Sequence, residues 1–208
     1  MSTTQTPESQ SAITPSQAIE ILKQGNVRFT SGLATSRDYQ TQVSQTAGGQ
    51  YPLAAVVSCI DSRIPTEIVF DQGIGDIFNA RIAGNFVNED ILGSLEFACK
   101  VAGAKAIVVM GHTSCGAIKG ACDKAELGNL TQMLEKIMPA VDAVHTPEGT
   151  DRSSANTKFV DAVAAKNVEL TLAKIRENSP VLMAMIEADE VEIVGAMYDV
   201  ASGKVCFL

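Results

Sequence analysis

The sequence predicts an α/β fold: a central, mainly parallel sheet of about five strands, flanked by helices, with a last antiparallel edge strand and an N-terminal helical arm. Two observations carry that expectation. Four short apolar runs, Leu53–Ser58, Ile77–Ile82, Ala106–Met110 and Glu192–Tyr198, lack the alternation of a half-solvated strand, and helical stretches separate them. Continuous apolar runs suit strands buried on both faces of a parallel sheet.

Residues 1–13 are rich in Ser, Thr and Gln and have little to bury, so a flexible N-terminal arm is expected there. Residues 14–208 are expected to form one domain. Thr14 reads as an N-cap, with Pro15 at the first helical position, Gln17 completing a capping box and Gly32 able to end the helix. Residues 34–51 are polar and read as a connector. A short helical segment follows Pro65. Asn88 caps a helix with Glu89 and Asp90 in its first turn and Gly103 at its end. Further helical segments run from Leu130 to Ala143 and from Thr157 to Glu177, and Ser179-Pro180 opens another. The tail, from Asp199 to Leu208, holds a turn at Ser202-Gly203 and the edge strand.

Composition narrows the functional classes. With 208 residues and 46% hydrophobic content the chain can bury a sizeable core. A formal net charge of −8 leaves no basic stripe for phosphates, so neither nucleic acid nor a membrane surface is an expected partner. No apolar run reaches the roughly 18 residues of a membrane span, and the polar start lacks the basic and apolar regions of an export signal. The five cysteines are an odd number in a chain too large to need disulfide staples, which points to reduced thiols and a cytoplasmic location. Tryptophan is absent and aromatics make up 5%, which argues against aromatic cages.

Open parallel sheets build sites where strands end and loops converge. Two strand ends here are chemically loaded: Ser58-Cys59-Ile60-Asp61-Ser62-Arg63 and Gly111-His112-Thr113-Ser114-Cys115-Gly116. Alone, a cysteine after an apolar strand is usually a small buried hydrophobe, and a loop histidine usually a hydrogen-bonding residue. Together, Cys59, His112 and Cys115 form a soft donor set suited to zinc, with the Asp61/Arg63 ion pair beside it. Three ligands rather than four leave a coordination position for water or substrate, as in catalytic zinc sites. His145 stands in a polar stretch, and Cys99, Cys122 and Cys206 read as packing residues.

The Cys59-x-Asp61-x-Arg63 and His112-x-x-Cys115-Gly116 pair resembles the signature of the beta class of carbonic anhydrases. The likeness extends to the segments Asp76–Asn85 and Gly195–Asp199. The resemblance implies reversible hydration of carbon dioxide to bicarbonate and a proton by a zinc-bound hydroxide, with one Zn2+ per subunit held by Cys59, His112 and Cys115. It implies that Asp61, oriented by Arg63, positions the nucleophile. It also implies that Gln50, nine residues before Cys59, contacts substrate from a neighbouring subunit, and that Phe78 and Ala83 line the carbon dioxide pocket. A homodimer or dimer-built tetramer follows from the cross-subunit glutamine. Some members of the class have a second state in which the aspartate caps the metal, beside a pocket built with a tryptophan; Val56 stands at that position here, so the open state is expected.

Other readings compete. The same fold could act on another small linear molecule, carbon disulfide or carbonyl sulfide, or serve as a non-catalytic zinc-stabilised scaffold. Cys115 as a nucleophile with His112 as base would leave Cys59 idle. Gly73-Ile-Gly75 lacks the third glycine of a dinucleotide fingerprint.

Overall fold

A computed structural model describes residues 4–208. The sheet contains β1 (Ala54–Ser58), β2 (Ile77–Arg81), β3 (Ala106–His112), β4 (Glu192–Tyr198) and β5 (Val205–Phe207), in the order β2-β1-β3-β4-β5. β1 pairs in parallel with β2 and β3, β3 in parallel with β4, and β4 antiparallel with β5. This is the expected mainly parallel sheet with an antiparallel edge. The hairpin into β5 turns at Asp199–Gly203, where the Asp199 carboxylate accepts from the Ala201 amide at 2.8 Å.

Every residue of β1 and β3 is buried. Their alternating side chains feed two separate cores. Ala54, Val56, Ala106, Val108 and Met110 face one cluster, which takes in Ala18, Ile19 and Leu22 of α2 (Pro15–Thr30). Ala55, Val57, Ile107 and Val109 face the other, with Val168 and Ile175 of α9 (Thr157–Asn178) and Leu182 of α10 (Pro180–Glu187). Helices on both faces explain why the strands carry no polar stripe.

The remaining helices are α1 (Pro7–Ala12), α3 (Tyr39–Thr46), α4 (Thr66–Val69), α5 (Glu89–Glu96), α6 (Gly116–Cys122), α7 (Gly128–Glu135) and α8 (Met138–Ala143). α2 starts on the expected capping box, with Thr14 and Gln17 bonding each other's backbone. α5 starts on Asn88, which accepts from the Ile91 amide at 3.0 Å, and leads into a π-turn over Phe97–Val101.

Three departures from the sequence expectation have local causes. Part of the segment expected to be a flexible arm is a docked helix: Gln10 of α1 donates to the carbonyls of Pro52 and Ala102 at 2.8 Å each. Residues 1–3 of that arm lie outside the described residues. The connector over residues 34–51 contains α3, capped by Asp38, whose carboxylate accepts from the Gln40 and Thr41 amides. The helix expected over residues 130–143 is two helices, because Pro139 at the start of α8 has no N–H to continue the ladder from α7.

Candidate metal centre

The fold brings the two loaded strand ends side by side. Ser58 pairs with Met110, so Cys59 leaves β1 beside the last turn of β3, which ends on His112. Cys115 then caps α6 after a tight loop in which Ser114 adopts φ 55°. The three ligand atoms lie within 4.8 Å of one another, with the two sulfurs 4.0 Å apart. All three residues are buried.

His112 is held in one tautomer. Its Nδ1 lies 2.9 Å from the Thr113 carbonyl, which can only accept, so Nδ1 carries the proton. Nε2 is left with a free lone pair, buried and, among the described residues, without a hydrogen-bond partner. A buried polar atom without a partner costs about 1–3 kcal/mol, and a metal ion at the centre of the three donors would remove that cost. Tetrahedral zinc with Zn–S bonds of about 2.3 Å needs sulfurs roughly 3.8 Å apart, close to the observed spacing. The residues present therefore fit the ion.

The two thiols share their protons unequally. The hydrogen bond from Cys115, outweighing burial and helped by the Gly84 and Asp61 amides, pulls the Cys59 thiol far below its ordinary value. Cys115 is pushed up in return, first by that same bond and then by burial. A cation at the site would remove the shared proton and leave both sulfurs as thiolates.

Asp61 stands beside the centre, with Oδ2 4.0 Å from His112 Nε2. Arg63 grips the carboxylate through Nε at 2.9 Å, Nη2 at 2.7 Å and its own backbone N–H at 3.0 Å. That grip holds the Asp61 carboxyl well below the usual carboxylate range. The pair is the local ion bridge expected from Asp-x-Arg spacing, and it faces the donors.

The other expected site residues divide. Ala83 precedes Gly84, whose N–H donates to the Cys59 sulfur at 3.4 Å, so it flanks the centre. Phe78 does not reach it. Phe78 pairs with Ala55, four residues and about 13 Å of strand before Cys59, and lines a separate cleft of about 530 Å3 with Phe97, Ala80 and Ala98. Gln50 is exposed ahead of β1, beyond the end of the strand opposite the donors. At ~3.3 Å per residue, the five-residue strand alone separates the two by about 16 Å.

The structure adds residues that the motifs do not announce. Arg81, the last residue of β2, donates to the Cys59 carbonyl at 2.9 Å and to the Asp61 carbonyl at 2.6 Å. Asp161 of α9 accepts from the Ser114 amide at 3.1 Å, and Asn167 of α9 donates to the Gly84 carbonyl at 2.7 Å. The available signal was a carboxamide in the middle of an apolar helical stripe. Among the described residues no helix is long and apolar enough to cross a membrane.

Comparison with known proteins points to one family. A family model described as carbonic anhydrase matches residues 54–205. The carbonic anhydrase of Mycolicibacterium smegmatis is 36% identical over 92% of each chain, and carbonic anhydrase 2 of Mycobacterium tuberculosis is 34% identical over 91% of each. A β-carbonic anhydrase of Coccomyxa, solved with acetazolamide, superposes with a TM-score of 0.71 at 25% identity, covering 81% of this chain and 77% of that one. One of two tetrameric β-carbonic anhydrases of Sordaria macrospora gives a TM-score of 0.68 at 25% identity over 81% and 90%. A parallel sheet with a buried Cys-His-Cys group beside an Asp-Arg pair defines a class of enzyme. This chain belongs to the β-carbonic anhydrase family.

Proposed function

We propose that the chain is a zinc enzyme that interconverts carbon dioxide and bicarbonate, with Cys59, His112 and Cys115 holding the ion. The observation that carries the reading is the buried, partnerless Nε2 of His112 in reach of two cysteine sulfurs. When bound, zinc supplies the acidity that lets a water lose its proton near neutral pH. Two thiolate ligands donate more charge than imidazoles, so activity rises towards alkaline pH.

The chain's own residues direct the rest. Asp61 is acceptor-only when ionised, and the Oδ2 that Arg63 anchors keeps a lone pair for the proton of the attacking water. Accepting that proton's hydrogen bond turns the water's lone pair towards carbon dioxide. Arg63 fixes the carboxylate by a bidentate contact that a lysine could not reproduce. Ala83 forms part of the apolar wall. Gln50 cannot reach its own centre, and we assign it to the centre of a neighbouring copy, where its amide would hold a substrate oxygen; Phe78 is assigned to the pocket of that assembly.

Stopped-flow carbon dioxide hydration on protein of measured zinc content tests the reading. The wild type should carry one zinc per chain and turn over. Cys59→Ser should lose the metal and the activity together. Asp61→Asn should keep the metal and lose about 10- to 100-fold in rate. Zinc retained in the wild type with no hydration would sink the proposal.

A further inference from the structure

We infer that Asn167 is a positioning residue for the metal centre, aiming the Gly84 N–H at the Cys59 sulfur; the inference rests on the zinc reading above. Asn167 is 3% exposed and interrupts the buried stripe of α9 formed by Val160, Val163, Ala164, Val168 and Thr171. A carboxamide so placed must find partners or cost about 1–3 kcal/mol. Its Nδ2 finds the Gly84 carbonyl, 83 residues away in sequence, at 2.7 Å.

Gly84 needs such a tie. It sits at φ +81°, where a side chain would be strained, and a Cβ added there would fall 2.5 Å from Ile137 Cδ1 and displace that side chain, so the position favours glycine. Glycine is also the residue whose torsions are least self-determined. Its N–H, in the peptide before it, points at the Cys59 sulfur and its carbonyl, in the peptide after it, is bound by Asn167, so the two bonds together hold the chain on both sides of the free torsions. The second amide facing that sulfur, from Asp61, lies in the turn that Cys59 itself begins and is placed by local geometry. The Gly84 amide is delivered from another segment, and α9 is what holds that segment. The same helix anchors the second cysteine loop through Asp161 and Ser114.

An N–H···S hydrogen bond draws charge from a thiolate, so the sulfur donates less to a bound ion. A role limited to satisfying a buried carbonyl would alter stability and leave the sulfur's electronics alone. The two are separated in cobalt(II)-substituted protein by the energy of the sulfur-to-cobalt charge-transfer band. In Asn167→Ala and in Asn167→Leu, neither of which can donate, the band should move to lower energy. A band unchanged in the folded variants would overturn the inference. A wild type that takes up no cobalt would overturn the zinc reading and this inference with it, a result distinct from an unshifted band. Should both variants fail to fold, wild-type protein carrying an NMR-active cadmium isotope decides: scalar coupling from the metal to the Gly84 amide proton supports the inference, and its absence overturns it.

Discussion

Two residues show how differently a buried polar group can be handled here. His112 spends one ring nitrogen on the Thr113 carbonyl and keeps the other bare, which is costly unless a ligand arrives. Asp71 does the reverse. Its carboxylate is 1% exposed and is saturated by Arg28, Arg37, the Thr35 hydroxyl and the Thr35 amide. Burial pushes the Asp71 carboxyl up, but these hydrogen bonds together outweigh it and leave the pKa below its ordinary value. A lowered folded-state pKa gives stability that is fully present above the unfolded-state value of about 3.9 and is lost as pH falls through the folded-state value. Asp71→Asn strands the Arg37 guanidinium, itself only 7% exposed, and should cost about 3–5 kcal/mol in urea unfolding at neutral pH. The gap between variant and wild type should narrow as the pH is taken below about 3.9.

Packing between elements sets the tolerances of the next scale. α2 lies so close to the end of α4 that a Cβ on Gly25 would sit 1.8 Å from the Phe70 carbonyl oxygen. Alanine gains about 1 kcal/mol of helix propensity over glycine, but this obstacle is backbone and cannot swing aside. Gly25→Ala should therefore be destabilising by about 1–3 kcal/mol, read from denaturant midpoints. The same scale decides what was legible in the sequence. α2 announced itself because Thr14, Pro15 and Gln17 form a local signal, and the sheet did because apolar runs need no partner to be recognised. α1 and α3 did not, because the residues they bury are Gln10 and Gln42, which give no apolar period. The Cys59, His112 and Cys115 cluster was legible because soft donors are rare and stand at strand ends. Asn167 and Asp161 were not, since their partners lie 83 and 47 residues away and only the packed chain brings them together.

For the whole molecule, the proposed assignment of Gln50 to a neighbouring copy would make the centre of one chain dependent on another. Mixing Gln50→Ala chains with Asp61→Asn chains tests this directly. Random pairing gives one intact centre in each mixed dimer, so activity should recover to about a quarter of the wild type's, from two preparations that are each impaired. Additive rates without recovery would place Gln50 outside any centre. The pairing of β1 with β3 has a different consequence, for assembly of the chain itself. Both strands are apolar on both faces, so a one-residue slip would exchange Val56 and Val57 between two hydrophobic clusters without exposing either to water, and only shape complementarity in the packing opposes it. What the slip would ruin is the donor set, carrying Cys59 about 3.3 Å past His112 and turning its sulfur away. On the zinc reading, metal retention would proofread the folded chain: only molecules that have settled into the right pairing could hold an ion, and a slipped one would be recognised by its inability to do so.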